Sequence, residues 1–267
     1  GIATAVGMAL AERMANARFG DELVDHHTYV VVGDGCLMEG ISHEALSLAG
    51  QLRLSQLIVL FDDNSICIDG PTDMTVADDQ QARFRASGWD VQAVDGHDAA
   101  AVAAAIKAAK ATNTPSMIAC KTVIGYGAPN KQGTSGTHGA PLGNDEIALA
   151  REKMGWAHDP FVIPDDVAAS WRAVGSRGAG DRAAWESRLS SSDSSEFERV
   201  MAGDLPANWV GALNDHKRML AEEKPAWATR KASGEALTAL TASIPEMIGG
   251  SADLTGSVNT KTPSTDA

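Results

Sequence analysis

The sequence predicts an α/β protein in which a parallel sheet carries helices on both faces. Short, continuous apolar runs such as residues 28–32 and 57–61 have the pattern of strands that are buried on both sides. Segments with helical spacing of apolar residues separate these runs, and such alternation places successive strands in parallel. The composition, 44% hydrophobic and 21% charged over 267 residues, excludes disorder as the main state.

Strand and helix patterns alternate through the first 121 residues. Apolar runs rich in β-branched residues predict strands at residues 28–32, 57–61, 89–94 and 116–121. Apolar side chains at three- and four-residue spacing predict helices over residues 2–20, 41–52 and 98–111. The last of these helices begins at Asp98, a residue type that caps helix N-termini.

The composition changes along the chain and predicts three parts. Residues 1–156 form the α/β domain, and residues 157–224 have the Pro, Gly and Ser content of a linker with short helices. Residues 225–267 are predicted to begin a second α/β domain that is truncated. Its first elements are a helix over 230–242 and a strand over 246–250.

Charge and composition exclude several classes of partner. A net charge of −13 and a pI of about 4.9 disfavour nucleic acid and anionic membranes. No apolar run is long enough to span a bilayer, and the first residues do not have the pattern of a secretory signal. The three cysteines form no CxxC pair, which predicts reduced thiols and a cytoplasmic protein.

The most informative local pattern joins the ends of the first two strands. Gly33-Asp34-Gly35 follows the first strand and Asp62-Asp63-Asn64 follows the second. Because the carboxyl ends of parallel strands meet at one edge of a sheet, we expect Asp34 and Asn64 to lie close together. A carboxylate and an amide oxygen suit a hard divalent cation, Mg²⁺ or Ca²⁺, and the glycines allow a diphosphate to approach the backbone.

This pattern has competing interpretations. Asp-Gly after a strand is most often only a turn, and the paired asparagine is what raises the prediction above that level. The dinucleotide pattern GxGxxG and the phosphate-binding pattern GxxxxGK[ST] do not occur.

A long connection over residues 122–143, rich in Gly, Thr and Pro, is predicted to carry His138 to the same edge of the sheet. A histidine there suits proton exchange near neutral pH.

The residues around these motifs resemble transketolase. The matching segments are GDGCLMEGISHEALSLAGQLRLSQLIVLFDDNSICIDG (33–70), CKTVIGYGAPNKQGT (120–134), HGAPLG (138–143), RKAS (230–233) and GGSADL (249–254). The resemblance extends over essentially the whole chain and is weakest over residues 170–215. It implies the thiamine-diphosphate-binding fold, in which the first domain holds the diphosphate and metal and the last begins a pyrimidine-binding domain.

The resemblance also implies a role for each matching residue. The implied metal ligands are the side chains of Asp34 and Asn64 and the backbone carbonyl of Ile66. The implied cofactor contacts are Gly35, Asn64, His138 and Asp253, and His138 is the implied catalytic residue for proton transfer. The implied anchors for the substrate phosphate are Arg230 and Ser257. The sequence around Ser257, TGSVN, departs from the family, which usually has a proline before this serine and an asparagine after it.

Further residues match the family at its subunit contact. Glu39 and Glu44 match acidic residues there, and His43 on the same predicted helix is expected at that interface. Lys121, at the end of the fourth strand, is a weak candidate for a cation near the diphosphate.

The activity implied by the resemblance is transfer of a two-carbon ketol unit from a ketose phosphate to an aldose phosphate, as in the pentose phosphate pathway. The implied cofactors are thiamine diphosphate and Mg²⁺ or Ca²⁺, and the implied assembly is a homodimer. Two alternatives remain open: a related ketol transferase such as a dihydroxyacetone synthase, or a non-catalytic cofactor-binding fragment. The chain begins at Gly1 and reads as an internal fragment. Several catalytic parts of the family have no counterpart in it, so we expect the 267 residues alone to be inactive.

Overall fold

The structure is a computed structural model that describes residues 1–251 and 254–265. Through residue 191 the elements are α1 (Ile2–Phe19), β1 (Thr28–Gly33), α2 (Asp34–Met38), α3 (Gly40–Gln51), β2 (Leu57–Asp63), β3 (Ile66–Cys67), β4 (Gly70–Pro71), α4 (Gln80–Ala86), β5 (Asp90–Asp95), α5 (Ala99–Ala109), β6 (Ser116–Lys121), α6 (Asn144–Lys153), α7 (Asp165–Ser176) and α8 (Ala179–Ser191). The later helices are α9 (Ser195–Ala202), α10 (Trp209–Glu223), α11 (Thr229–Thr241) and α12 (Thr255–Val258).

The main sheet has the strand order β1-β2-β6-β5, and all of its neighbouring strands run parallel. The predicted α/β class with a parallel sheet is therefore confirmed. Gly33 lies opposite Asp62, and Asp63 and Asp95 both lie opposite Lys121. The carboxyl ends of these strands consequently form one edge, which we call the rim.

Strand β2 contacts a hydrophobic layer on each of its faces. Leu57 and Val59 belong to the core shared with α1 and α3, whereas Ile58 packs with Ala105 and Ala109 of α5. Side chains alternate between the two faces of a strand, so a strand covered on both sides is apolar throughout. This arrangement accounts for the continuous run LIVLF in the sequence.

Helix α3 packs on the core through a different face from the one that its apolar spacing suggests. The residues with that spacing are Ile41, Ala45, Leu48 and Leu52. Only Ala45 among them is buried, and Ile41 and Leu48 are 57% and 48% exposed. The core covers only one side of α3, which includes the small buried side chains of Ser42 and Ala49. A second apolar face therefore remains exposed.

The segment predicted to be a linker, residues 157–224, is largely helical and contains α7 to α10. Helix α8 contacts the turn after α1, where the indole of Trp185 donates a hydrogen bond to the Leu23 carbonyl at 2.9 Å. The chain divides into two compact units, Gly1–Arg188 and Leu189–Ala267. The predicted boundaries at residues 156 and 224 stay a prediction.

The strand predicted over residues 246–250 is wrong, because this segment consists of a turn followed by irregular backbone. A strand is stabilised by hydrogen bonds to a neighbouring strand. The described part of the second unit contains helices and no strand with which 246–250 could pair. None of the helices in the described ranges combines the length and apolar character needed to cross a membrane.

Candidate functional site

Helix α2 begins directly where β1 ends at the rim. Gly33 has the extended backbone of a residue before a helix, and Asp34 and Gly35 form the first turn of this five-residue helix. A plain turn was the competing interpretation of the sequence Gly33-Asp34-Gly35. The helix instead starts at Asp34, so the orientation of this carboxylate depends on how α2 is held.

The loop after β2 contacts the Asp34 carboxylate. The backbone N–H of Ser65 donates a hydrogen bond to Asp34 Oδ2 at 3.1 Å. The backbone N–H of Ile66 donates to Asn64 Oδ1 at 3.0 Å, which orients the amide of that side chain. Ser65 has a φ of 61°, a left-handed conformation that costs energy for a residue other than glycine. The structure therefore brings Asp34, Asn64 and Ile66 together at the rim.

Burial raises the pKa of the Asp34 carboxyl above its ordinary value. The hydrogen bond from the Ser65 N–H opposes this rise, and the nearby Asp63 carboxylate adds to it. A negative charge that is partly desolvated beside another carboxylate is stabilised by a bound cation. The electrostatics of Asp34 thus fit a divalent metal ion.

The donors available at this point also fit such an ion. Within the described ranges, no group of three or more His, Cys, Asp and Glu side chains is arranged to hold a metal. Asp34, Asn64 and the Ile66 carbonyl supply a carboxylate, an amide oxygen and a backbone oxygen. Mg²⁺ is commonly bound by one or two carboxylates together with phosphate oxygens of a ligand. This set suits a metal that shares its coordination with a phosphorylated molecule.

An open cavity of about 660 Å³ lies at the rim. Residues from several elements line it, among them Asp34, Gly35, Asn64, Ile66 and His138. A Cβ atom added to Gly35 would meet no atom within 4 Å, so the space in front of its backbone is free for a ligand group. Five of the predicted site residues therefore border one cavity.

Contacts near its start and at its middle hold the long loop that carries His138. Near its start, the backbone N–H of Val123 donates to His97 Nε2 at 3.0 Å, and the His97 ring stacks on Tyr126. Sequence reasoning missed His97, although its position directly after β5 at the rim was a usable signal.

A buried carboxylate holds the middle of the same loop. Glu146 on α6 is 6% exposed and accepts hydrogen bonds from the backbone N–H groups of Asn130 and Lys131 at 2.8 and 3.1 Å. The side-chain amide of Asn130 donates to the same carboxylate at 2.9 Å. These hydrogen bonds, led by that from the Asn130 side chain, lower the pKa of Glu146. Sequence reasoning missed this residue as well.

Lys121 contacts the loop that carries the predicted metal ligands. Its Nζ donates to Ser65 Oγ at 2.8 Å and to Asp63 Oδ1 at 3.2 Å. The positively charged Lys121 side chain therefore lies at the rim, where it contacts the loop at Ser65.

The remaining predicted residues are distributed over several parts of the chain. Arg230 is near the start of α11 and Ser257 is within α12, both in the unit Leu189–Ala267 and both exposed. Asp253 lies outside the described residues. Glu39 lines the rim cavity, and Glu44 is exposed on α3.

Comparison with known proteins gives a consistent result. The family model described as "Transketolase, thiamine diphosphate binding domain" matches residues 1–206. The chain is 58% identical over 258 residues to a transketolase from Cereibacter sphaeroides, covering 96% of this chain and 39% of the relative. It is 53% identical over 265 residues to a transketolase from Rhodobacter capsulatus, covering 98% of this chain and 39% of the relative.

Solved structures agree with these sequences. Transketolase from Leishmania mexicana superimposes with a TM-score of 0.87 at 40% identity, covering 99% of this chain and 40% of that one. Transketolase from Pichia stipitis, in complex with sedoheptulose-7-phosphate, superimposes with a TM-score of 0.88 at 38% identity and the same coverage. The chain thus spans about two fifths of the length of these relatives.

Proposed function

The chain belongs to the transketolase family, and on that premise we propose that it holds the cofactor of a ketol transferase. The complete enzyme moves a two-carbon ketol unit from a ketose phosphate to an aldose phosphate, as in the pentose phosphate pathway. One observation carries the proposal: Asp34, Gly35, the loop of Asn64 and Ile66, and His138 border the same cavity. The family match to a thiamine diphosphate binding domain supports the choice of cofactor.

We assign thiamine diphosphate and a divalent metal, Mg²⁺ or Ca²⁺, to this cavity. Asp34, Asn64 and the Ile66 carbonyl would hold the metal, which would neutralise part of the negative charge of the diphosphate. Gly35 allows the diphosphate to approach the backbone, since no atom lies within 4 Å of a Cβ built there. When bound, the cofactor supplies a nucleophilic carbon and an electron sink for cleavage of the ketose.

His138 is the proton-transfer residue of this proposal. It is exposed at the cavity, on a loop that His97 and Glu146 hold at separate points. An imidazole gains and loses protons near neutral pH, as proton transfer to and from a substrate hydroxyl requires. Asp253, in the segment GGSADL, is assigned to the cofactor through the family resemblance alone.

The proposed substrates are sugar phosphates, with Arg230 and Ser257 as anchors of the phosphate group. The guanidinium of an arginine binds a phosphate through two parallel hydrogen bonds, and a serine hydroxyl adds a third donor. A relative from Pichia stipitis is described in complex with sedoheptulose-7-phosphate, a molecule of this class.

The complete enzyme is proposed to be a cytoplasmic homodimer. Ile41 and Leu48 leave an apolar face of α3 exposed, and Glu39 and Glu44 lie close to it in sequence. Exposed apolar surface of this kind is typical of protein contacts. The described cysteines, Cys36, Cys67 and Cys120, are free thiols, in keeping with a reducing compartment.

The experiment is an assay of ketol transfer by the complete gene product that contains this chain. We expect transfer between sugar phosphates that requires both thiamine diphosphate and a divalent cation. Formaldehyde is the matched alternative acceptor, because a dihydroxyacetone synthase would prefer it. Preference for formaldehyde, or no transfer to either acceptor, would contradict the proposal.

A further inference from the structure

Helix α2 carries Asp34 and Gly35 at its first turn, yet it has only five residues. A helix this short has few internal hydrogen bonds, so its position depends on contacts with its surroundings. Leu37 is fully buried and anchors the helix in the core. Only about one helical turn separates Leu37 from Asp34, so a rotation at the end of α2 also moves the carboxylate.

Two side chains from neighbouring helices hold the last carbonyl groups of α2. Ser42 of α3 is 1% exposed, and its hydroxyl donates to the Cys36 carbonyl at 2.6 Å. Arg83 of α4 donates from Nη2 to the Leu37 carbonyl at 3.0 Å. We call Ser42 and Arg83 the α2 clamp. Carbonyls at the end of a helix lack partners within it, and a cationic donor there is favourable.

The Arg83 guanidinium is held on a second side as well. Its Nη1 lies 2.9 and 3.0 Å from the two ring nitrogens of His43 on α3. The Arg83 side chain is only 17% exposed, and the Asp78 carboxylate is 3.8 Å away. A charged group is costly to bury without partners. The hydrogen bond from Arg83 to the Leu37 carbonyl offsets part of this cost and fixes where the guanidinium lies.

We propose that Ser42 and Arg83 are positioning residues that orient α2 so that Asp34 and Gly35 meet the metal and the diphosphate. This inference rests on the proposed function, because it concerns the same cavity. Residues that orient a metal ligand commonly change metal affinity about 10- to 100-fold when replaced. Arg83 is not among the residues that line the cavity, and Ser42, which does line it, donates its hydroxyl to the Cys36 carbonyl of α2.

The test measures binding of thiamine diphosphate with Mg²⁺ to the complete gene product by calorimetry. Arg83→Met is expected to raise the Mg²⁺ concentration for half-maximal binding about tenfold, and Ser42→Ala about fivefold. Arg83→Lys retains one cationic donor and is expected to recover part of the affinity. At saturating metal and cofactor, kcat is expected to stay within about twofold of the unchanged enzyme, because the chemistry itself is untouched.

Matched controls lie on the same two helices. Arg85 of α4 is exposed and donates to Gln81 on its own helix, and Ser47 of α3 is exposed. Arg85→Met and Ser47→Ala are expected to leave Mg²⁺ affinity within twofold of the unchanged protein. The melting temperature without ligand is measured for every variant, because a purely structural residue lowers it in proportion to the loss of binding.

Clear outcomes would overturn the inference. It fails if Arg83→Met and Ser42→Ala bind as well as the two controls, or if affinity falls only in step with the ligand-free melting temperature. If Arg83→Met does not fold, unchanged affinity in both Arg83→Lys and Ser42→Ala overturns it. Loss of cofactor binding in the unchanged protein would instead contradict the proposed function, and this inference with it.

Discussion

Asp34 carries a partly buried negative charge at the rim. Its burial and the neighbouring Asp63 raise its pKa, so the ionised form is maintained at an energetic cost in the ligand-free protein. A divalent cation offsets this cost directly. Removing the charge of Asp34 is therefore expected to lower the affinity for the metal and to leave the ligand-free protein equally stable or more stable.

Asp34→Asn is expected to weaken Mg²⁺-dependent binding of thiamine diphosphate more than about tenfold, because the amide carries no charge. Ligand-free stability is expected to stay the same or rise, since a partly buried charge is removed. Calorimetry and thermal melting measure the two effects. Asp69→Asn, at an exposed position beyond the loop of Asn64 and Ile66, is the control and should change neither. Unchanged metal dependence in Asp34→Asn would refute the metal assignment.

The contribution of Glu146 to stability is expected to depend on pH. Hydrogen bonds from Asn130 and Lys131 lower its pKa in the folded state, whereas the unfolded chain has the ordinary value of 4.5. Its contribution to stability is thus complete above pH 4.5 and is lost as the pH falls through the lower folded value. Urea unfolding between neutral and acid pH measures this loss.

The matched variant for this prediction is Glu146→Gln. Its free energy of unfolding is expected to lie below that of the unchanged protein at neutral pH, and the difference should shrink in acid. A difference that stays constant from pH 7 to well below pH 4.5 would show that the carboxylate's titration is not linked to folding.

At the scale of elements, the packing of α3 depends on a single glycine. A Cβ atom at Gly50 would lie 1.7 Å from the Ser87 carbonyl oxygen, which belongs to the turn between α4 and β5. Because this neighbour is backbone, it cannot move without displacing the strand that follows. Gly50 therefore determines how closely α3 approaches this turn.

Gly50→Ala is expected to lower the free energy of unfolding by about 3 kcal/mol, the upper part of the range for overpacking. Gly40→Ala on the same helix is the control, because a Cβ there meets no atom within 4 Å. That change is expected to be neutral or to stabilise by up to about 1 kcal/mol. Urea unfolding distinguishes the two variants, and equal effects would contradict the packing described for α3.

At the scale of the whole molecule, the exposed face of α3 bears on assembly. If the proposed homodimer forms through this face, Ile41→Glu combined with Leu48→Glu is expected to shift the complete gene product from dimer to monomer, because charges disfavour burial at a contact. Light scattering after size-exclusion chromatography measures the mass. Leu149→Glu on α6, where the leucine is 41% exposed, is the control. A double variant that remains a dimer would argue against α3 as the subunit contact.

Much of the architecture was predictable from local patterns. The apolar runs that predicted strands became β1, β2, β5 and β6, with each end within two residues of its predicted position. The meeting of Asp34 with the loop of Asn64 followed from the rule that parallel strands end at one edge. Short helices were predicted within residues 157–224, but the bounds of α7 to α10 were not, because short helices depend on packing more than on local sequence.

The sequence by itself determined the fold class, the family and the residues that meet at the rim, because strand periodicity and motif spacing are local properties of the chain. Only the tertiary structure decided which face of α3 is buried and how the end of α2 is held. Arg83 and the Leu37 carbonyl are 46 positions apart, and no pattern in the sequence relates them. Their contact depends on packing of three helices against the sheet, which exists only in the folded chain.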